Sequence, residues 1–194
     1  MVEIVTKLAH RAWRLAAQSR AGRLALQKDG AAAVEFALVA APFLALVFAI
    51  METAIVFFAG QALETAVAGS SRLILTGQAQ TANFDATAFK NAVCAQINGL
   101  FNCQSGVYVD VKKFTSFSSV TMANPVDAQG NFQNNNFSYQ PGGPGDIVVV
   151  RLFYLYPVYV SLLGFNLTNV NGGNRLLAAT SAFRNEPYAG ACAS

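Results

Sequence analysis

The chain is 194 residues long, 54% hydrophobic and only 12% charged, which is room for one ordinary domain plus a membrane segment and well below the roughly 25% charge of globular proteins. Its positive charge is confined to residues 1–30, where six basic residues face two acidic ones. Residues 31–194 carry seven basic and eight acidic residues, a balance that argues against a basic nucleic-acid surface on the main body.

The first thirty residues hold Lys7, Arg11, Arg14, Arg20, Arg23 and Lys28. Apolar Val5, Leu8, Ala12, Leu15, Ala16, Leu24 and Ala25 fall between them. This text fits a basic helix lying on an inner membrane leaflet. It fits equally a soluble leader that only fixes topology.

From Ala31 to Phe58 the chain is almost wholly apolar, with Glu35 and Glu52 as the charged exceptions. A membrane span needs about 20 such residues, so the run suffices. Pro42 lies inside it and is expected to kink a membrane helix. Six basic residues precede the run and only Arg72 follows closely, so the positive-inside rule predicts a cytoplasmic N-terminus and an external C-terminal body. A cleaved secretory signal is the weaker reading, because the run exceeds the usual 7–15 residues of its apolar region. An uncleaved anchor also fits the hydropathy, but leaves Glu35 without a partner. A carboxylate within a bilayer costs at least ~2.5–3.5 kcal/mol on insertion scales, which makes Glu35 a functional candidate. The alternatives for it are snorkelling to the interface or protonation.

Through Gln61–Thr76, apolar Leu63, Ala66, Val67, Leu73 and Ile74 recur near three- and four-residue spacing and predict an amphipathic continuation of the helix. Gly77 reads as its stop signal. One helix over residues 31–76 would reach about 69 Å. Gly60 and Gly69 are the places where it could break.

Residues 78–194 are more polar and predict a small α+β body. Asp85 is placed to cap a helix running to about Asn98, with Phe89, Val93, Ile97 and Leu100 on one face. The short separation of Cys94 and Cys103 suits a disulfide in an oxidising compartment, with free thiols the alternative. Cys192 is left over in the tail. Val107–Val111, more weakly Phe117–Met122, then Asp146–Tyr156 and Arg175–Arg184 read as strands, with Pro157 ending or edging the third. Residues 123–145, rich in Asn, Gly and Pro, read as a long loop. The fold expected is one long N-terminal helix packed on a small antiparallel sheet. Phe153, Tyr154, Tyr156 and Tyr159 form an aromatic cluster, either an adhesive surface or, more often for aromatics at strand spacing, a sheet face. The sequons at Asn136-Phe137-Ser138 and Asn166-Leu167-Thr168 read as chance.

Catalytic chemistry is not written in this sequence. The single histidine is His10, so the body lacks the base of a Ser–His or Cys–His pair and the usual metal ligand. No phosphate-binding glycine loop occurs in a suitable context. The chain reads as a non-enzyme with no catalytic residue, metal or cofactor.

Lys28-Asp29-Gly30-Ala31-Ala32-Ala33-Val34-Glu35-Phe36, a basic leader ending in glycine with glutamate five residues on and an apolar helix behind it, resembles the class III signal of type IV pilins and pseudopilins. With Pro42 following, it resembles more narrowly the TadE-like minor pilins of Tad (Flp) pili. Asn185-Glu186-Pro187-Tyr188 resembles that family's ending, and the two cysteines after a short helix fit it. The resemblance implies cleavage by a prepilin peptidase between Gly30 and Ala31. It also implies pairing of Glu35 with the new α-amine of Ala31, on its own chain or a neighbour. That divides the chain into a cytoplasmic leader (1–30), a transmembrane, pilin-like helix (31–77) and a periplasmic α+β domain (78–194), with a pilin-like fold. The implied partners are the peptidase, major and minor pilins, the inner-membrane assembly platform and membrane lipid. The implied location is the bacterial inner membrane, N-in and C-out, then periplasm and pilus tip or base. A stationary bitopic scaffold and a periplasmic adhesin module are the competing functions.

Overall fold

The computed structural model describes residues 30–97, 102–159 and 166–188. Residues 1–29 of the leader, Leu100 and Cys192 lie outside the described residues. By packing, the chain divides into Met1–Phe48 and Ala49–Ser194.

Helix α1, Ala31–Leu75, runs unbroken for 45 residues. Gly60 and Gly69 do not interrupt it, and Pro42 sits in its interior. In the first unit, Ala31–Phe48 is solvent-facing nearly throughout, including Phe36 at 74% exposure and Leu38 at 71%. Within the second unit the same helix becomes one-sided. Val56, Ala59, Leu63, Ala66, Val67 and Ile74 are buried, and their three- and four-residue spacing puts them on a single stripe. Thr76 and Gly77 form the turn that ends it. Gly77 adopts φ +77°, the left-handed conformation usual for a glycine just past a helix.

A short turn α2 (Gln78–Thr81) leads to α3 (Ala86–Gln96). Asp85 caps α3 by accepting from the Ala88 N–H at 2.7 Å, as its position predicts. Phe89 and Val93 on α3 are fully buried against the α1 stripe. Helix α4 (Cys103–Gly106) delivers the chain into β1 (Val107–Phe114). Cys94 and Cys103 form a disulfide across a separation of 9 residues, which fixes the entry to β1 to the end of α3.

Three strands follow the order β1-β2-β3, all antiparallel, with β2 spanning Ile147–Pro157 and β3 Asn174–Arg184. The architecture is α+β with a pilin-like layout. Pro157 is the last residue of the central strand β2. On one face, Val107, Val111, Val148, Val150, Leu152, Leu177 and Ala179 join the apolar cluster under α1 and α3. Side chains alternate along a strand, so the opposite face carries Ile147, Val149, Arg151 and Phe153, also buried.

The cover on that second face is the long connection between β1 and β2. Asp110, fully buried, receives Arg151 Nη2 at 2.6 Å and Nε at 3.2 Å, and the Ser138 N–H at 3.0 Å. Arg151 Nη1 donates to the Ala123 carbonyl at 2.9 Å. Phe132 and Phe137 of the connection pack on Tyr108 and Phe153 of the sheet. The loop therefore is a third layer. The weak strand expected at Phe117–Met122 is instead a 3-10 turn at Phe117–Ser119. There the hydroxyl of Ser119 donates to the Ser116 carbonyl at 2.8 Å, and such local side-chain bonds compete with strand pairing.

The body is tied to its helix at both ends. Glu52 accepts the Tyr159 N–H at 2.6 Å just beyond β2, and the Leu75 carbonyl accepts the Glu186 N–H at 2.9 Å just beyond β3. The helical rise from Glu52 to Leu75 is about 35 Å. An eleven-residue strand spans about the same length. Helix and strands therefore run alongside one another, matched in length.

Candidate functional site

The first candidate site is the start of α1. Gly30 stands in a helical turn immediately before Ala31, the first residue of α1. Three small side chains follow, and then Glu35 projects one turn above Ala31. Residues four apart lie on one helix face with Cβ atoms ~5–6 Å apart, so the Glu35 carboxylate and the Ala31 nitrogen end share a face. Glu35 is exposed and has no ion-pair partner among the described residues. Exposed Phe36, Leu38, Val39, Phe43 and Phe48 surround the same segment.

Among the described residues, α1 is the one helix long and apolar enough to cross a membrane, and only 6% of its apolar window is buried. A core helix of a soluble domain passes the same length test but is mostly buried. This segment fits a membrane-anchored protein.

The second carboxylate of the apolar run behaves differently. Glu52 is 5% exposed and holds the Tyr159 backbone N–H. In the sequence Glu52 stands out only as a charge in apolar text. Its position where the buried stripe begins was the signal that it belongs to the body.

The aromatic cluster is divided by strand alternation. Phe153 is buried beneath Phe132 and Phe137 with the Arg151 guanidinium 5.2 Å from its ring centre. Tyr154 and Tyr156 lie on the other face, half-buried against the core. Burial raises the pKa of both hydroxyls above the ordinary value, with Tyr159 charge, and for Tyr156 also Glu52 charge, adding to it. Tyr159 alone is freely presented, at 80% exposure. The four residues do not form one surface. No group of three or more His, Cys, Asp or Glu side chains lies together among the described residues.

The C-terminal segment forms a clasp on the end of α1. Asn185 is buried, and its Nδ2 donates to the carbonyls of Pro141 and Gly143, both at 2.9 Å. The next residue, Glu186, closes on Leu75. Tyr188 lies against Gly77, where a Cβ would overlap the tyrosine ring.

Residues 30–72 match the family model described as TadE-like protein. The chain carries the TadE-like segment. That segment begins at Gly30 and ends within α1, so it takes in Glu35, Pro42 and Glu52, while the sheet, the disulfide and the clasp lie beyond it. No curated protein and no solved structure matches the chain. The likeness to that family covers 43 of the 194 residues, all of them at the start of and within α1.

Proposed function

We propose that the protein is a minor pilin, or pseudopilin, of a Tad pilus, cut between Gly30 and Ala31 and packed into the fibre or its initiating complex through α1. The observation that carries this reading is the exposed apolar segment Ala31–Phe48 with Glu35 one turn above Ala31. Cleavage creates an α-amine at Ala31, largely protonated near neutral pH with a reference pKa of ~7.7–8.0. In hydrocarbon an unpaired amine and an unpaired carboxylate are each costly, so their pairing favours one axial position of an incoming subunit. The basic leader keeps residues 1–30 cytoplasmic, where a prepilin peptidase acts, and the disulfide-bearing body is external. Pilins, the inner-membrane assembly platform and lipid are the partners, and Pro42 provides a kink in the span.

N-terminal sequencing of the protein from cells with and without prepilin peptidase tests the proposal. A mature chain starting at Ala31 only when the peptidase is present is expected. Retention of residues 1–30 in peptidase-competent cells would replace it with the uncleaved scaffold. A Glu35→Ala variant is expected to be cut but to be absent from sheared pili.

A further inference from the structure

Among the described residues, one edge of the sheet is left unpaired. In β3, backbone groups of even-numbered residues point away from β2. The Asn174 carbonyl accepts from Val170 N–H at 3.4 Å, Asn169 bonds both the N–H and the carbonyl of Leu176, and the Glu186 N–H reaches Leu75. Those contacts close the edge at its two ends. Between them, the outward N–H and carbonyl groups of Ala178, Thr180 and Ala182 have no partner among the described residues, and all three residues are exposed. Edge strands are normally protected by a proline, a bulge, an inward-pointing charge or a covering segment. The opposite edge has such a cover, since Val111 of β1 is bonded by Ser138 and Gln140. Residues 178–182 have none of these devices among the described residues.

We propose that the outer edge of β3 at residues 178–182 is the docking site for an extended segment of another protein, added as a fourth strand with acidic residues towards its ends. Alternating unpaired N–H and carbonyl groups are matched by another extended backbone. The flanks specify charge: Arg175 and Arg184 stand at the two ends of β3 and neither has a carboxylate partner among the described residues. Beside Arg184 the surface dips between Pro144, Gly145, Glu186 and Pro187. The small side chains of Ala178 and Ala182 leave room for larger ones on the added strand. A second copy of this chain is disfavoured, because antiparallel pairing of two β3 edges would bring Arg175 of one copy close to Arg184 of the other.

Amide hydrogen exchange on the purified full chain in detergent tests this independently of any cleavage. The probe is a synthetic seven-residue peptide of alternating valine and threonine with a glutamate at each end. Without peptide, the amides of Ala178, Thr180 and Ala182 are expected to exchange fast and those of Ala179 and Ser181, bonded to β2, slowly. The peptide is expected to slow the first three by roughly tenfold or more. Ala182→Pro removes an outward donor and leaves the β2 ladder intact, and should abolish the effect. Thr180→Lys serves the same purpose if the proline variant fails to fold. The proposal is overturned if the three amides are already slow in the chain alone, or if the peptide leaves them unchanged. It is likewise overturned if a lysine-ended peptide works as well, or if Ala182→Pro keeps the protection.

Discussion

The Glu186 N–H donates to the Leu75 carbonyl at 2.9 Å, so the segment that follows β3 closes the last turn of the helix with which the body begins. Helix ends leave four carbonyls without an intrahelical donor. Here one donor is brought from more than a hundred residues away, with Tyr188 seated on Gly77 beside it.

That contact makes Gly77 sensitive in two ways. Its φ of +77° disfavours any side chain, and a Cβ would strike the Tyr188 ring. Gly77→Ala is expected to lower stability by about 2 kcal/mol or more, read as the midpoint of denaturant unfolding. Gly60→Ala is the matched control. Nothing lies within 4 Å of its Cβ position, so that change should stabilise by about 0.5–1 kcal/mol through helix propensity. Equal effects at the two sites would refute the clasp.

The Asp110–Arg151 pair holds the β1–β2 connection on the sheet. With Asp110 fully buried and Arg151 8% exposed, removing one partner leaves a charge without compensation, at about 3–5 kcal/mol. Asp110→Ala is expected to show that loss, and to open the 115–140 connection to limited proteolysis. Asp110→Leu with Arg151→Met together should recover much of the stability, since a well-packed apolar pair replaces a buried ion pair without large cost.

Much of this arrangement was legible in the residues. Period-2 and period-3.6 patterns located α1, α3 and the three strands, and Asp85 marked the start of α3 because a cap has a local signature. The clasp, the Asp110–Arg151 tie and the division of the aromatic cluster were not legible. Each depends on contacts between residues far apart in sequence, and strand alternation alone could not say that both sheet faces are covered. The loop covering the second face looked structureless because Asn and Gly carry no periodicity. It is ordered by Asp127, whose Oδ1 accepts the Gln129 and Asn131 N–H groups at 3.0 and 2.7 Å. These bonds, the Asn131 backbone first, hold that carboxyl below its ordinary pKa. For the start of α1 the reverse holds. Gly30, Ala31 and Glu35 are informative as text, while the structure adds their shared helix face and exposure.

Tyr139 gives a stability effect at high pH. Burial, with the Asp85 charge adding to it, pushes its hydroxyl from 10.0 to about 12. Because the folded value lies above the unfolded one, the stabilisation is complete below about pH 10 and is lost as pH rises towards about 12. The Tyr139 hydroxyl is also buried without a hydrogen-bond partner among the described residues, while its ring packs 5.4 Å from Phe89. Tyr139→Phe keeps the ring and removes the orphan hydroxyl. It is expected to be neutral or stabilising by about 1 kcal/mol near neutral pH, and to flatten the loss above pH 10 in thermal melts. A destabilised variant with an unchanged alkaline limb would show that the hydroxyl is satisfied.

The disulfide acts on the junction between α3 and β1 rather than on α1. Cys94 and Cys103 are separated by 9 residues, a loop for which the chain-entropy account gives about 2–3 kcal/mol. Cys94→Ser with Cys103→Ser is expected to lower the unfolding free energy by that amount, and reductant should do the same to the wild-type chain but nothing further to the double variant. Because α1 gains most of its burial from Val56 to Ile74 and from the two end ties at Glu52 and Leu75, the reduced protein should keep its helix content in circular dichroism while β1 amides exchange faster. Collapse of the α1 signal on reduction would show instead that the disulfide governs the whole body.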